Sequence, residues 1–110
     1  MEKRSILIVE DNDDDLELAM RAFRRNHVLN DIVIARDGVE ALDYLFGTGK
    51  HAGRVRYALP EVVLLDLKMP KVGGLEVLRR IKADERTKYI PVVVLTSSDE
   101  EKDMIESYEY

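Results

Sequence analysis

The chain is predicted to be an α/β protein built on a parallel sheet, and three features point there. Four short runs rich in β-branched residues recur along its 110 residues. Each is followed by a longer stretch whose apolar residues return at helical spacing. Glycine, proline and aspartate punctuate the junctions. Two parallel strands cannot be joined by a tight turn; they need a crossover, usually a helix. Regular βαβαβαβα alternation therefore implies a parallel sheet with helices on both faces.

Each element has its own signal. Ile6-Leu7-Ile8-Val9 is a continuous apolar run ending in acid, as expected of a strand buried on both faces. Leu16, Ala19, Met20 and Phe23 then recur with helical spacing, and Asp13 to Asp15 are candidate caps for that helix. Ile32-Val33-Ile34, within Asp31 to Ala35, reads as a second strand. Asp37-Gly38 marks a turn, and Val39, Leu42, Leu45 and Phe46 define a second helix. Gly47 to Leu59 reads as a loop, and Pro60 opens the next element. Val62-Val63-Leu64-Leu65 is a third strand, which ends in Asp66. Leu75, Leu78 and Ile81 mark a third helix after Gly73-Gly74. Pro91 precedes a fourth strand, Val92-Val93-Val94-Leu95, and Asp99 opens a last helix carrying Met104, Ile105 and Tyr108. No linker or internal repeat interrupts the pattern, so residues 1–110 read as one domain.

Composition narrows the function. With 45% hydrophobic and 35% charged residues, the chain has the make-up of a globular domain rather than a disordered one. The absence of cysteine excludes a disulfide, a thiolate nucleophile and a thiolate metal site. No apolar run approaches the length of a membrane span, and Ile6 to Val9 is too short for a signal sequence, so a cytoplasmic location is expected. A net charge of -5 argues against autonomous nucleic-acid binding. The basic stretch of Lys50, His51, Arg54 and Arg56 reads as a solvated loop.

In an open parallel sheet, function collects beyond the carboxyl ends of the strands. The first strand here ends in Glu10-Asp11, the third in Asp66 and the fourth in Thr96-Ser97. Taken singly, each has an ordinary reading: Glu10-Asp11 as a strand end or helix cap, Asp66 as a turn residue, Thr96 as a turn former. Their equivalent positions on successive strands favour a shared site. Clustered carboxylates repel one another unless one holds its proton or a cation neutralises them. Oxygen ligands without nitrogen or sulfur suit a hard ion, Mg²⁺ rather than Zn²⁺. A carboxylate beside such an ion can act as the nucleophile in phosphoryl transfer, and a hydroxyl such as that of Thr96 could bond the new phosphoryl oxygens.

Other readings of the acid run fail on spacing. Asp11, Asp13 and Asp15 have the one-three-five spacing of an EF-hand loop, but Leu16 stands where glycine is required and Ala22 where the bidentate glutamate belongs. Neither a glycine-rich dinucleotide fingerprint nor a P-loop is present. His27 and His51 read as helix-end and loop residues.

Three segments in order, ILIVEDNDDD, VVLLDLKMPKVGGLEVL and IPVVVLTSS, resemble the receiver domain of two-component response regulators. The likeness runs along essentially the whole chain. Its most specific part is the pattern of Asp66, Met69, Pro70, Gly74 and Glu76 after the third strand. The resemblance implies a flavodoxin-like fold with strand order 2-1-3-4, followed in the family by a fifth strand; the chemotaxis member is a familiar example. It implies that Asp66 accepts a phosphoryl group from a sensor histidine kinase or phosphotransfer protein in a Mg²⁺-dependent reaction. Asp11 would be a direct Mg²⁺ ligand, Glu10 its partner through water, and the backbone carbonyl of Lys68 a third protein ligand. Thr96 matches the family's switch hydroxyl, while Pro70 and Gly73-Gly74 shape the loop after the acceptor. The long loop before strand three is most similar to single-domain receivers that partner phytochrome-type or hybrid sensor kinases. Such a module signals and is not an enzyme. Aspartyl-phosphate hydrolases also use an aspartate at a strand end, but they need a second acid two residues on, where Lys68 stands.

The family continues into a fifth strand, a Lys-Pro dipeptide and a fifth helix, whereas this sequence stops at Tyr110. Lys102, on the last predicted helix, is no substitute for the family's lysine. A chain of this extent leaves strand four as an edge, which predicts either self-association, as a homodimer through that edge or by exchange of the last helix, or a partly ordered monomer. The alternative function is then a self-associating fragment that has lost efficient phospho-signalling.

Overall fold

The computed structural model describes residues 4–49, 59–66 and 73–95. Within them the order is β1 (Ile6–Val9), α1 (Asp13–Arg25), β2 (Ile32–Ala35), α2 (Gly38–Phe46), β3 (Val62–Asp66), α3 (Gly74–Ala83) and β4 (Val92–Leu95). The strands form one parallel sheet in the order β2-β1-β3-β4, the flavodoxin-like order that the resemblance implies. The predicted last helix, with Asp99, Met104, Ile105 and Tyr108, lies outside the described residues, as does the basic stretch from Lys50 to Arg56. Among the described residues no helix is long and apolar enough to cross a membrane.

Side-chain alternation along β1 divides the core. Leu7 and Val9 point to one face, where they pack with Val63 and Leu65 of β3 beneath α2 and α3. Ile6 and Ile8 point to the other, where Leu16 completes a cluster flanked by Ala19, Met20 and Phe23 of α1. All four β1 residues are buried because β1 has a strand on each side and helices on both faces. On the outer strands the cover thins, and Ile34 of β2 and Val93 of β4 are exposed.

The helix ends are set by local chemistry. Asn12, rather than any of Asp13 to Asp15, caps α1: its side-chain oxygen accepts the Asp15 N–H at 3.0 Å. The three aspartates instead occupy the first turn, where their charge complements the helix dipole, and Arg24 and Arg25 occupy the last. Helix α1 closes with the Val28 N–H donating to the Phe23 carbonyl at 3.0 Å, which places His27 at φ 56°. Glycine is the usual occupant of that left-handed position. The Asp37-Gly38 pair, expected as a turn, is a helix start: Asp37 accepts the Glu40 N–H at 2.8 Å. Gly47, at φ 67°, ends α2 in the left-handed conformation. Buried Thr87 shapes the return from α3 to β4, donating its hydroxyl to the Ile81 carbonyl at 2.7 Å. Lys82 reaches the same connection from α3, donating to the carbonyls of Lys88 and Ile90.

The split core predicts where stability resides. Leu65, fully buried on β3, is expected to cost about 2–5 kcal/mol when truncated to alanine. Leu18, 62% exposed on α1, should change stability by no more than about 0.5 kcal/mol under the same substitution. Urea denaturation of the two variants measures both.

Candidate functional site

The parallel register brings the carboxylates together. Val9 of β1 pairs with Leu65 of β3, so the next residue on each strand, Glu10 and Asp66, falls side by side. On the other side of β1, Val9 pairs with Ala35, and the Glu10 N–H extends that ladder to the Ala35 carbonyl at 2.9 Å. Glu10 is thus fixed by its backbone at the head of a wholly buried strand and is itself only 4% exposed.

A short chain of hydrogen bonds shapes the turn into α1. The Glu10 carboxylate accepts the Asn12 N–H at 3.2 Å, and Asn12 in turn caps α1. Between them, Asp11 is left exposed to solvent. The result is a graded cluster of buried Glu10, half-buried Asp66 and exposed Asp11. One carboxylate oxygen from each lies within 4.8 Å of the others. Three hard oxygen donors at that spacing can converge on one cation, and the set contains no soft ligand.

Electrostatics gives the cluster its character. The Glu10 carboxyl is pushed up to about 7, chiefly by burial. The Asn12 N–H works against that rise, whereas the hydrogen bond and charge of Asp66, together with the charge of Asp15, add to it. A carboxyl perturbed this far among like charges marks a place built for a proton or a cation.

The sequence places Glu10, Asp11 and Asp66 in one site, and the fold brings those three together. Lys68, Met69, Pro70 and Thr96 lie outside the described residues. Gly73 and Gly74 cap and begin α3, away from side-chain chemistry. Glu76, part of the sequence pattern, points into an exposed ion-pair group on α3 with Arg79 and Arg80, which holds its carboxyl below the ordinary range. Sequence reasoning misses Asn12, and it offers Asp15 as a helix cap rather than as a charge acting on Glu10. In a run of five acids and one amide, the residue that caps the helix is set by where the strand ladder stops, and the run itself does not show this.

Comparisons with known proteins agree with this geometry. The family model of the response regulator receiver domain matches residues 6–110. The probable methanogenesis regulatory protein FilR2 of Methanothrix harundinacea is 50% identical over 103 residues, which cover 94% of this chain and 64% of FilR2. The chain therefore spans less than two thirds of that relative's length. The bacteriophytochrome response regulator AtBRR superposes with a TM-score of 0.90 at 54% identity, over 98% of this chain and 76% of AtBRR. The response regulator Rcp1 of Synechocystis sp. is 41% identical over 104 residues, covering 94% of this chain and 69% of its own. The Mn²⁺-bound structure of Rcp1 superposes with a TM-score of 0.83 at 39% identity, over 96% of this chain and 73% of that one. The in-register acids, the strand order and these likenesses lead to one conclusion: the chain belongs to the response regulator receiver domain family.

Proposed function

We propose that this domain accepts a phosphoryl group on Asp66 from a histidine kinase or phosphotransfer protein, with Mg²⁺ held at the acidic cluster. The observation that carries the reading is the set of three carboxylate oxygens within 4.8 Å at the carboxyl ends of β1 and β3. Asp11 and Asp66 are the direct side-chain ligands of the ion. Glu10, buried behind them, acts through water, and the Lys68 carbonyl and Thr96 hydroxyl take the places that the family resemblance gives them. A Mn²⁺-bound relative supports a divalent ion here. The hard oxygen donor set suits Mg²⁺.

The chemistry assigned to Asp66 is a direct displacement. Its carboxylate oxygen bonds to phosphorus as the bond from phosphorus to the donor breaks, and the electron pair leaves with the donor's imidazole nitrogen or, for acetyl phosphate, with acetate. Bound Mg²⁺ supplies positive charge that offsets both the carboxylates and the transferring phosphoryl oxygens. Asp66 is half-buried at the mouth and accessible to a donor, whereas Glu10 is shielded beneath it. That difference favours Asp66 as the nucleophile. The role is that of a phosphorelay signalling module rather than a turnover enzyme, working in the cytoplasm. The phytochrome response regulators among its relatives favour a phytochrome-type kinase as donor.

Metal binding is expected to stabilise the fold, because the ion binds the folded site and relieves carboxylate repulsion. Ten times Kd of Mg²⁺ should add about 1.4 kcal/mol, which raises Tm by roughly 5–10 °C. Asp11→Asn should remove most of that rise in a thermal melt. An unshifted melt at millimolar Mg²⁺ would count against the assembled site.

The pH response of the metal-free protein follows from Glu10. Its folded value, about 7, lies above the ordinary 4.5, so the folded state retains a proton that the unfolded chain gives up. The stability associated with that proton is fully present below about pH 4.5 and is lost as pH rises through 7. The loss is on the order of 3 kcal/mol at neutral pH and above. Glu10→Gln should flatten this slope, and saturating Mg²⁺ should reduce it in the unaltered protein. Denaturant midpoints between pH 5 and 8 would show either effect, at roughly the magnitude given above.

Phosphorylation has its own test. Acetyl phosphate with Mg²⁺ should produce a single acid-stable, base-labile phosphoryl adduct, located on Asp66 by peptide mass spectrometry and absent from Asp66→Asn. An adduct on another residue, or its persistence in the variant, would overturn the assignment.

A further inference from the structure

The register that joins Glu10 to Asp66 also brings a cation into the same row. Val9 faces Ala35 on one side and Leu65 on the other, so one step beyond the strands the order across β2, β1 and β3 is Arg36, Glu10, Asp66. Neighbouring strands lie about 4.8 Å apart, which puts the Arg36 and Asp66 backbones roughly 10 Å from each other. The guanidinium sits on a long, flexible stem and carries donors matched to phosphoryl oxygens. Among the described residues, Arg36 is the lysine or arginine that directly follows the carboxyl end of a strand.

The guanidinium is held to one side. Arg36 Nη1 donates to Asp13 Oδ1 at 2.6 Å, in the first turn of α1, while its backbone N–H donates to the Glu40 carboxylate at 3.2 Å. The backbone is therefore anchored at the start of α2, while the side chain is held by an ion pair at the surface. The Arg36 and Asp13 side chains are 53% and 80% exposed, so the ion pair contributes little to stability. An exposed pair can be exchanged readily when a better anion arrives.

Resting on the proposed phosphoryl-acceptor role of Asp66, we propose that Arg36 captures the phosphoryl anion: Asp13 holds it while Asp66 is unphosphorylated, and it turns to donate to the phosphoryl oxygens of the donor and of the aspartyl phosphate. Asp13 is then a competitor for Arg36, tuning how readily the site takes an anion. The pair sits on the two segments, the start of α1 and the β2–α2 junction, that flank Glu10. Phosphoryl occupancy would thus loosen the tie between them.

Initial rates of Mg²⁺-dependent phosphorylation by acetyl phosphate separate this from a structural role. They are to be measured across donor concentrations for the unaltered chain, Arg36→Ala, Arg36→Lys, Asp13→Asn and the double variant Asp13→Asn/Arg36→Ala. Arg36→Ala should raise KM roughly tenfold or more, the loss expected for one charge-assisted hydrogen bond. It should leave Mg²⁺ affinity unchanged or slightly tighter, since a cation has been removed beside a cation site. Arg36→Lys should recover part of the lost KM. Asp13→Asn should lower KM when Arg36 is present and leave it unchanged when Arg36 is absent. If Asp66 is phosphorylated but KM is unaffected by Arg36→Ala, the inference is overturned while the acceptor role stands. If Asp13→Asn lowers KM equally in both backgrounds, the effect is general charge and the capture role is again overturned. If no version forms an adduct on Asp66, the acceptor reading falls and this inference falls with it.

Discussion

The pairing of Val9 with Leu65 is the constraint from which the rest of the site follows. It is a backbone register, held by a ladder between β1, buried along its whole length, and β3, where Val63 and Leu65 are buried. A slip of one residue would exchange the two faces of β1, turning Ile6 and Ile8 toward α2 and α3 and Leu7 and Val9 toward α1. The core tolerates only the observed alignment, and that alignment sets Glu10 beside Asp66. Two acids meet at the strand ends because the apolar residues behind them leave no alternative. The site is preorganised by packing that takes no part in its chemistry.

That arrangement places the destabilising feature where the fold is strongest. A carboxyl that is 4% exposed and next to a second carboxylate opposes folding whenever it is ionised. The Glu10 N–H remains in the β-ladder, and its side chain accepts from Asn12, so the group is hydrogen-bonded even though it is poorly solvated. Among the described residues, what remains uncompensated is charge. A cation held by the cluster would remove this penalty directly and so link occupancy of the site to stability of the fold. A site that were comfortable when empty would have less to gain from the ion.

Much of this was legible in the sequence. The four strands, three helices and their order could be read from periodicity, because a strand buried on both faces is continuously apolar while each helix shows a stripe. Glu10, Asp11 and Asp66 could be read from their shared position after β1 and β3. The local chemistry of the helix starts was harder to see. Asn12 lies in a run of acids, any of which could cap a helix, and the choice depends on where the β1 ladder ends. Asp37-Gly38 carries the same composition whether it forms a turn or begins α2. His27 in a left-handed conformation has no sequence marker, since the chain uses histidine where glycine is usual. The Arg36–Asp13 contact joins residues 23 positions apart and depends on strand order, which periodicity does not encode.

Strand order is also what separates the two halves of the site in their response to a ligand. Glu10 and Asp66 stand at the ends of the central strands, where the ladder and the core on both faces hold the backbone in place. Arg36 follows β2, an outer strand on which Ala35 alone is buried, and its side chain rests on solvent-exposed Asp13. Rearranging the central pair would disturb buried packing, whereas rearranging the outer pair exchanges one surface ion pair for another contact. A change of charge at Asp66 is therefore met by a rigid centre and a compliant rim. The rigid centre keeps Asp66 and its acidic neighbours in register, and the rim, with α1 and the start of α2 attached, is where a local electrostatic event can become a change of surface.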